Sequence, residues 1–287
     1  MNANLDLYYQ RMEESLGDKK KIVDNIKKGT ILEVGFGSGL LMQVLDDLGN
    51  TVYGVDISEE SVERAKDNGI ENVFLGGADD IDKLFASETF DTIIFCSVLH
   101  EVFSTDRNNY YTDKFSINNA ELRGANALIR ALEKAYKLLK PNGRVVIRDG
   151  VAVSDRFRHD LVVFSLEEDK IHMLDDYRDF PLNPDEYNLT KQDGKYLVAT
   201  SLENALEFLY TYTWGEKSMP REREEKYGVL SLDSYKLLLK SIGFNAVSGL
   251  SYLQQGYVDN LAHVEFLNLT RINDRLPDSN MILVGRK

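Results

Sequence analysis

The feature that most constrains this chain is a short apolar segment that runs directly into three glycines. Residues 31–39 have the sequence ILEVGFGSG, in which Gly35, Gly37 and Gly39 are spaced two apart, and the LLMQVL that follows has helical character. A buried strand that turns sharply into a helix presents free backbone N–H groups at the turn. Glycine permits such a turn and lets a ligand approach the backbone closely. The segment therefore predicts a nucleotide-like ligand site at the end of a strand.

A second strand-like segment ends in an acidic residue at the expected distance. Residues 51–55 are followed by Asp56, about twenty residues beyond the glycines, where a Rossmann-like fold places the carboxylate that binds ribose hydroxyls. Ser58 is a good N-cap for the next helix. The dinucleotide fingerprint G-x-G-x-x-G would need a glycine where Leu40 stands. The ligand is therefore not expected to be NAD.

The two segments together resemble motif I and the second strand of class I S-adenosylmethionine-dependent methyltransferases. The resemblance rests on E-x-G-x-G-x-G from Glu33, on Val55-Asp56-Ile57-Ser58 and on LLKPNGRVVI before strand five. It covers residues 30–150 well and 230–287 loosely. It implies S-adenosylmethionine as cofactor, with S-adenosylhomocysteine as product. Glu33 would orient the glycine loop or the amino-acid end of the cofactor, Asp56 would bind the ribose, and Ile57 would pack on the adenine.

The resemblance also implies cofactor contacts after strands three and four. The family often has G-D-A after strand three, whereas this chain has Gly77-Ala78-Asp79-Asp80. Either Asp79 takes the aspartate's role one position late, or Ala78 leaves backbone contacts alone. Cys96 and Ser97 end strand four and are expected beside the methionine portion. A buried small residue is the alternative interpretation of Cys96.

The catalytic signature is weaker than the cofactor signature. Methyl transfer from a sulfonium is an in-line displacement that mainly requires positioning and exclusion of water. His100 lies in a V-L-H stretch after strand four that many small-molecule methyltransferases share. It could be a general base, hold the cofactor's carboxylate side through water, or pack and cap the next helix. Glu101 could orient it. Arg148 and Asp149 end strand five at the same mouth, and we expect Asp149 to contact substrate. His100 and Asp149 are thus the catalytic candidates, and we favour positioning over base catalysis for both.

The order of predicted elements indicates an α/β fold with a Rossmann-like, seven-stranded, mostly parallel sheet and helices on both faces. Strands are predicted near 30–35, 51–55, 72–75, 90–96, 144–148, 245–252 and 280–286. A polar loop is expected around 104–117, followed by a helix that runs to Leu139 and is stopped by residues 141–143. We assign 1–29 to an N-terminal helical cover, 30–150 with 230–287 to the core, and 151–229 to an inserted α(+β) lid after strand five that caps the substrate.

The insertion and the N-terminal segment supply further candidates. Tyr210 and Trp214, the latter being the only tryptophan, could stack on a planar substrate or hold a cation. Arg221 could hold an anionic group. Alternatively, these aromatic residues form the insertion's own small core and the charged residues face water. The candidates for substrate binding are Glu101, Arg148, Tyr210, Trp214 and Arg221. In the N-terminal segment, Tyr8, Tyr9 and Arg11 either cover the cofactor or belong to an amphipathic helix that packs on the sheet.

Composition limits the partners. The chain has 287 residues, of which 43% are hydrophobic and 28% charged, and its formal net charge is −13. Because nucleic-acid binders usually present a basic face, this acidity argues against a nucleic-acid substrate. One cysteine permits no intrachain disulfide and fits a reducing, cytoplasmic location. No secretory signal and no membrane-spanning segment is evident. The four histidines have no metal-ligand spacing, so no metal site is expected.

The predicted activity is methyl transfer from S-adenosylmethionine to oxygen or nitrogen of a small molecule. The sequence does not choose between the two atoms. An RNA or protein methyltransferase is an alternative, although residues 96–99 lack the proline-containing motif of adenine and glutamine methylation. A non-catalytic cofactor-binding partner protein is a third hypothesis. The oligomeric state is left open, with a homodimer as one option.

Overall fold

The structure is a computed structural model, and it describes residues 15–111, 117–267 and 276–287. The predicted contacts of Tyr8, Tyr9 and Arg11 lie outside the described residues. The described chain begins with a short helix, α1 (Leu16–Lys19), which is followed by a 3-10 helix (Lys20–Asn25).

A seven-stranded sheet forms the core, as the sequence predicted. Its strands are β1 (Thr30–Val34), β2 (Thr51–Asp56), β3 (Val73–Leu75), β4 (Phe90–Cys96), β5 (Leu139–Gly150), β9 (Ala246–Tyr252) and β10 (Asn280–Arg286). They lie in the order β3-β2-β1-β4-β5-β10-β9. β1 to β5 are parallel, and β10 is antiparallel to both of its neighbours. The order reverses between β1 and β4, which is where open α/β sheets bind ligands at the carboxyl ends of the strands.

Amphipathic helices cover the two faces of this sheet. Their bounds are α2 (Leu40–Asp47), α3 (Glu59–Asp67), α4 (Ile81–Leu84), α5 (Leu99–Tyr110), α6 (Ile117–Leu138) and α10 (Leu232–Ile242). The predicted cap is confirmed at α3, where the hydroxyl of Ser58 accepts from the backbone N–H of Ser61, and Ser231 caps α10 in the same way through the N–H of Ser234. Gly243 ends α10 with a left-handed backbone, as is usual for a C-terminal glycine.

Two local predictions were wrong. The loop expected from residue 104 is the second half of α5, because Phe103, Ser104 and Arg107 share one buried helical face despite their polar neighbours. The segment Pro141-Asn142-Gly143 was expected to lie between α6 and strand five, but it lies inside β5, which already begins at Leu139. The pairing register between β4 and β5 shifts there, and the extra residues are accommodated as a bulge.

The insertion has its own sheet and core. Its elements are β6 (Leu161–Glu167), a 3-10 helix (Glu168–Lys170), α7 (Ile171–Arg178), β7 (Asn188–Gln192), β8 (Lys195–Ser201), α8 (Leu202–Thr213) and α9 (Met219–Glu222). The three strands are antiparallel, with β8 in the centre. Phe164, Phe208 and Leu209 are buried in this core. The segment after β9 joins it, because α11 (Gln255–Asn260) supplies Tyr257 to its surface and Leu261 is buried within it.

In the described ranges, the structure contains no helix that is both long and apolar enough to cross a membrane.

Candidate functional site

The glycine turn lies at the carboxyl end of β1. Gly35, Gly37 and Gly39 all have positive φ angles, of 72°, 55° and 75°, which side chains rarely adopt. A Cβ on Gly35 would lie 2.3 Å from a methyl carbon of Val98, so a side chain there would also collide with the turn after β4. Gly39 is the N-cap of α2. The backbone from β1 into α2 therefore requires glycine.

The carboxylate of Asp56 braces this turn. One of its oxygens accepts a hydrogen bond from the backbone N–H of Gly37 at 2.8 Å, and the other accepts from Ser58 N at 2.9 Å. Burial raises the pKa of Asp56, and the backbone N–H donors partly offset this effect. A carboxylate oxygen has more than one acceptor site. Asp56 can therefore accept hydrogen bonds from two hydroxyls of a ligand while it holds the turn.

A cavity of about 380 Å³, here called the glycine-turn cavity, opens between the ends of β1, β2 and β4. Seven predicted cofactor residues line it, namely Gly35, Gly37, Asp56, Ile57, Ala78, Asp79 and Ser97. Three others lie outside the lining, namely Glu33, Gly39 and Cys96. Asp79 pairs with Arg130 at 3.0 Å. Cys96 is buried, and burial raises the pKa of its thiol to about 11, so it is a neutral packing residue at ordinary pH.

Glu33 is a buried carboxyl without a complete set of partners. It is 2% exposed, and its Oε2 has no hydrogen-bond partner among the described residues. Burial raises the pKa of Glu33 to about 8, although the charge of Lys19 opposes the shift. A buried acceptor left unsatisfied is costly. An incoming ammonium group or another donor would relieve that cost.

A second cavity, of about 240 Å³, lies between the strand ends and the insertion, and is here called the insertion cavity. It is lined by residues of the core, of the insertion and of α11. The polar or aromatic lining residues include Lys19, Ser97, His100, Glu101, Arg148, Asp149, Trp214, Glu222, Glu225, Tyr227, Gln254 and Tyr257. Ser97 and Glu101 line both cavities. A ligand in one cavity therefore meets a ligand in the other at these two residues.

Ser97 is held in an unusual conformation at this junction. Its φ is 58°, and it is the first residue after β4. Its backbone N–H donates to the carbonyl of Arg148 at 2.7 Å, and its hydroxyl accepts from the Arg148 guanidinium. Strained residues persist where the surroundings fix them, and they are frequent at functional sites.

Asp149 holds the imidazole of His100 in place through Nδ1. Its Nδ1 lies 2.6 Å from Asp149 Oδ1, and Asp149 also accepts from the backbone N–H groups of Leu99 and Gly150, each at 2.7 Å. Burial disfavours a charged imidazole, but the carboxylates of Asp149 and Glu225 outweigh it and hold the pKa of His100 well above its usual range. Burial likewise opposes the ionisation of Asp149, yet His100 keeps the pKa of this carboxyl below its ordinary value. The contact with Asp149 favours the protonated form of His100 and the ionised form of Asp149.

The other face of His100 meets residues 221–228, here called the strap. His100 Nε2 lies 3.4 Å from Glu225 Oε2, and the imidazole stacks on the ring of Tyr227 with centroids 5.3 Å apart. Tyr227 donates its hydroxyl proton to Glu222, which is only 2% exposed. Burial, together with the charge of Glu225, raises the pKa of Glu222 to about 8.

The strap is bound to both the core and the insertion. On the core side, Lys226 N donates to Ser104 Oγ at 2.8 Å, and Asn108 donates to the carbonyl of Glu224 at 2.9 Å. On the insertion side, the carboxylate of Glu207 accepts from the N–H groups of Tyr227 and Gly228, at 2.9 and 2.6 Å. These contacts determine where the acidic side chains of the strap stand.

Comparison with known proteins identifies the family. A family model described as a methyltransferase domain matches residues 8–248, which is most of the chain. The chain belongs to this methyltransferase family. It is a class I S-adenosylmethionine-dependent methyltransferase, as the glycine turn and Asp56 had indicated, and its Rossmann-like core is the fold of that superfamily.

Similar proteins are distant relatives of this methyltransferase. It is 25% identical over 169 residues to an uncharacterized methyltransferase of Bacillus cytotoxicus, covering 59% of this chain and 69% of the relative. It is 30% identical over 143 residues to CymA of Salinispora arenicola, named a probable non-canonical nonribosomal peptide synthetase. That match covers 48% of this chain but spans only 2% of that much longer relative.

Solved methyltransferase structures share the fold at low sequence identity. A SAM-dependent methyltransferase from Archaeoglobus fulgidus has a TM-score of 0.51 at 13% identity, covering 98% of this chain and all of that one (100%). A SAM-dependent methyltransferase from Thermotoga maritima, described as a possible histamine N-methyltransferase, has a TM-score of 0.50 at 14% identity and covers 100% of both chains.

The predicted substrate residues of this methyltransferase are distributed over three places. Glu101 and Trp214 line the insertion cavity. Arg148 also lines it, but its guanidinium donates to Asp18, Ser97 and Gln254 and so fastens α1 to β5. Arg221 lines the glycine-turn cavity instead. Tyr210 lies in the insertion's core, outside both linings, with its ring 4.4 Å from that of Tyr257.

Three cavity residues were missed from the sequence, namely Glu222, Glu225 and Tyr227. From the segment 220–228 (PREREEKYG), only Arg221 was predicted to bind substrate, and the alternative interpretation placed its charged residues in water. The alternation of arginine and glutamate was the available signal, but it does not show which side chains point inward. His100, Glu101 and Glu225 also bring potential ligand atoms within 4.8 Å of one another, a proximity that the histidine spacing did not indicate.

Proposed function

We propose that this methyltransferase transfers a methyl group to oxygen or nitrogen of a small molecule bound in the insertion cavity. The observation that carries the proposal is that the glycine-turn and insertion cavities share Ser97 and Glu101. A methyl donor in the first cavity and an acceptor in the second would meet there, as an in-line displacement requires. A cavity of about 240 Å³ suits a compact acceptor. An RNA or a protein would instead need an open surface.

The residues around the glycine turn fit S-adenosylmethionine, which supplies an already activated methyl group when bound. Asp56 would accept the ribose hydroxyls, with Ile57 and Ala78 against the adenine. Glu33 lies outside the cavity lining and would act from behind the glycine turn by orienting it. These assignments extend the resemblance to residues whose local geometry suits each role.

His100 and Asp149 act in this proposal as a positioning pair. Asp149 is fully buried and touches His100 and backbone N–H groups, so it holds the imidazole in one orientation. An imidazolium has no free lone pair to accept a proton. His100 would therefore orient the acceptor through its Nε2 proton and would not act as the base.

We base the proposed division of the chain into core and insertion on the same contacts. Residues 30–150 and 230–287 would form the methyltransferase core, and residues 151–229 would cap the acceptor, with Tyr257 of α11 lining the same cavity. The strap supports this assignment because it carries insertion residues to the mouth of the core.

The experiment measures cofactor binding and turnover separately. Calorimetry should show that S-adenosylhomocysteine binds wild type and His100→Ala equally. Incubation with a small-metabolite extract should release S-adenosylhomocysteine from S-adenosylmethionine with wild type, and at least about tenfold less with His100→Ala. The matched control is His159→Ala, which alters a histidine outside both cavity linings.

Two outcomes would contradict the proposal. Cofactor binding without turnover on any extract would indicate a non-catalytic binding protein. Equal turnover by wild type and His100→Ala would mean that the acceptor does not lie in the insertion cavity. If instead His100→Ala raises the KM for the acceptor with kcat little changed, the positioning role is supported over base catalysis.

A further inference from the structure

The insertion cavity has a charge pattern that selects among acceptors. Its lining contains the carboxylates of Glu101 and Glu225 and the buried carboxyl of Glu222 beside His100. Arg148 also lines the cavity, but the carboxylate of Asp18 neutralises it. Lys19 is the remaining lysine or arginine of the lining. The cavity therefore carries an excess of negative charge even though its His100–Asp149 pair is balanced.

Two of the glutamates belong to the acceptor side alone. Glu101 lines both cavities, so it also faces the glycine-turn cavity. Glu222 and Glu225 line only the insertion cavity, and both are supplied by the strap. Because neither residue lines the glycine-turn cavity, we assign both to recognition of the acceptor.

Glu222 is a buried carboxyl in the wall of this cavity. It is 2% exposed, and its Oε2 accepts the hydroxyl proton of Tyr227. A buried charge is costly unless it is paired. The cavity in front of Glu222 therefore favours a ligand that brings a positive charge and an N–H donor.

Aromatic rings complete the same cavity. Trp214, Tyr227 and Tyr257 line it together with the glutamates. Aromatic faces attract cations, and the attraction grows when both partners leave water. A carboxylate or phosphate acceptor would instead face three glutamates. A hydroxyl acceptor would need a base, which the imidazolium of His100 cannot supply.

From these observations we infer that the acceptor is a small organic amine that enters as an ammonium ion, and that Glu222 and Glu225 recognise it. This inference rests on the proposed methyl transfer and names its substrate class.

The chemical step balances with the residues present. The ammonium passes one proton to the carboxylate of Glu225, which frees the nitrogen lone pair. The nitrogen–carbon bond then forms as the carbon–sulfur bond breaks, and the bonding electron pair stays on sulfur. The products are an N-methylammonium ion and a neutral thioether. The carboxylate proton returns to solvent when the product leaves.

The test uses matched compounds and matched variants. Phenethylamine, phenethyl alcohol and phenylacetate, with aliphatic sets differing in the same way, are titrated into the protein saturated with S-adenosylhomocysteine. We expect affinity to be confined to the amines, and in parallel assays with S-adenosylmethionine in place of S-adenosylhomocysteine we expect methylation to be confined to them as well. Glu222→Gln and Glu225→Gln should each weaken amine binding by about tenfold to a hundredfold, because each removes a charge-assisted contact. Glu224→Gln is the control, since Glu224 is exposed on the same strap and lines neither cavity.

Several results would overturn the inference. Alcohols or carboxylates that bind as well as the amines would do so, as would amine binding that both glutamine variants leave unchanged, or no amine in the panel binding at all. Turnover that requires a divalent cation and stops with EDTA would assign His100, Glu101 and Glu225 to a metal instead. Methylation of hydroxyl compounds alone would refute the amine while leaving the proposed function intact. Cofactor binding with no methylation of any compound would refute both.

Discussion

Glu207 is the residue whose loss should separate the strap from the insertion. It lies on α8, is 8% exposed, and accepts the backbone N–H groups of Tyr227 and Gly228 with its two oxygens. It lines neither cavity. Any effect of Glu207 on acceptor binding must therefore pass through the position of the strap.

The expected magnitude follows from the two hydrogen bonds. Glu207→Ala leaves two buried N–H groups without an acceptor, at about 1–3 kcal/mol each, so the strap should be destabilised by about 2–6 kcal/mol. Glu207→Gln keeps one carbonyl acceptor and turns an amide donor toward the other N–H. Glu207→Gln should therefore destabilise the strap by about 1–3 kcal/mol.

The assay is hydrogen exchange of the backbone amides in the strap, combined with ligand binding. The amides of Tyr227 and Gly228 should exchange about tenfold to a hundredfold faster in Glu207→Gln. Acceptor affinity should fall, while affinity for S-adenosylhomocysteine stays the same. Glu203→Gln is the control, because Glu203 lies on the same helix but pairs with Arg158. Unchanged protection of the two amides in Glu207→Gln would refute the reasoning.

Further predictions concern the cofactor side and the lid. Asp56→Ala should weaken S-adenosylhomocysteine binding by about tenfold or more by calorimetry, and NAD should not bind; tight NAD binding or no effect of the substitution would contradict this. Gly35→Ala should destabilise the fold in urea far more than Gly49→Ala. Both have positive φ, but a Cβ at Gly35 meets Val98 at 2.3 Å, whereas one at Gly49 meets nothing within 4 Å; equal losses would show that the contact relaxes freely. Hydrogen exchange across 201–228 should slow when S-adenosylhomocysteine and acceptor bind together, and a response confined to the glycine turn would make the insertion purely structural.

The cofactor half of the site was predictable because its signals are local. The turn from β1 to α2 needs glycine at Gly35 because the backbone there has a positive φ angle, which a run of closely spaced glycines indicates. Asp56 is likewise recognisable as the last residue of β2, the next strand along the chain. Ser58 and Ser231 cap their helices within three residues of chain. Interactions this short leave a pattern in the sequence that does not depend on the rest of the fold.

The acceptor half was not predictable in the same way. Glu225 reaches His100 because contacts such as that of Lys226 N with Ser104 Oγ, 122 positions earlier in the chain, hold the strap against α5. The segment after β9 joins the insertion's core by packing contacts that no local pattern indicates. The boundary error at residue 104 has a related cause, because α5 is polar except on one narrow face. Where the local pattern is this weak, the packing of the folded chain decides where a helix begins and ends.

The buried carboxyls predict a particular pH dependence of stability. Glu33 and Glu222 have folded pKa values raised to about 8 from an ordinary 4.5. The folded protein therefore holds protons that the unfolded chain has released, and each group reduces stability as pH rises from about 4.5 to about 8. For Glu33 alone, the difference between its folded and unfolded pKa values corresponds to about 5 kcal/mol of free energy of unfolding. Glu33→Gln and Glu222→Gln should gain urea stability relative to wild type between about pH 5 and about pH 8, whereas the exposed Glu224→Gln should not. A constant difference between variant and wild type across this range would mean that these carboxyls are already ionised in the folded protein, and that the site is better supplied with positive charge than its described residues indicate.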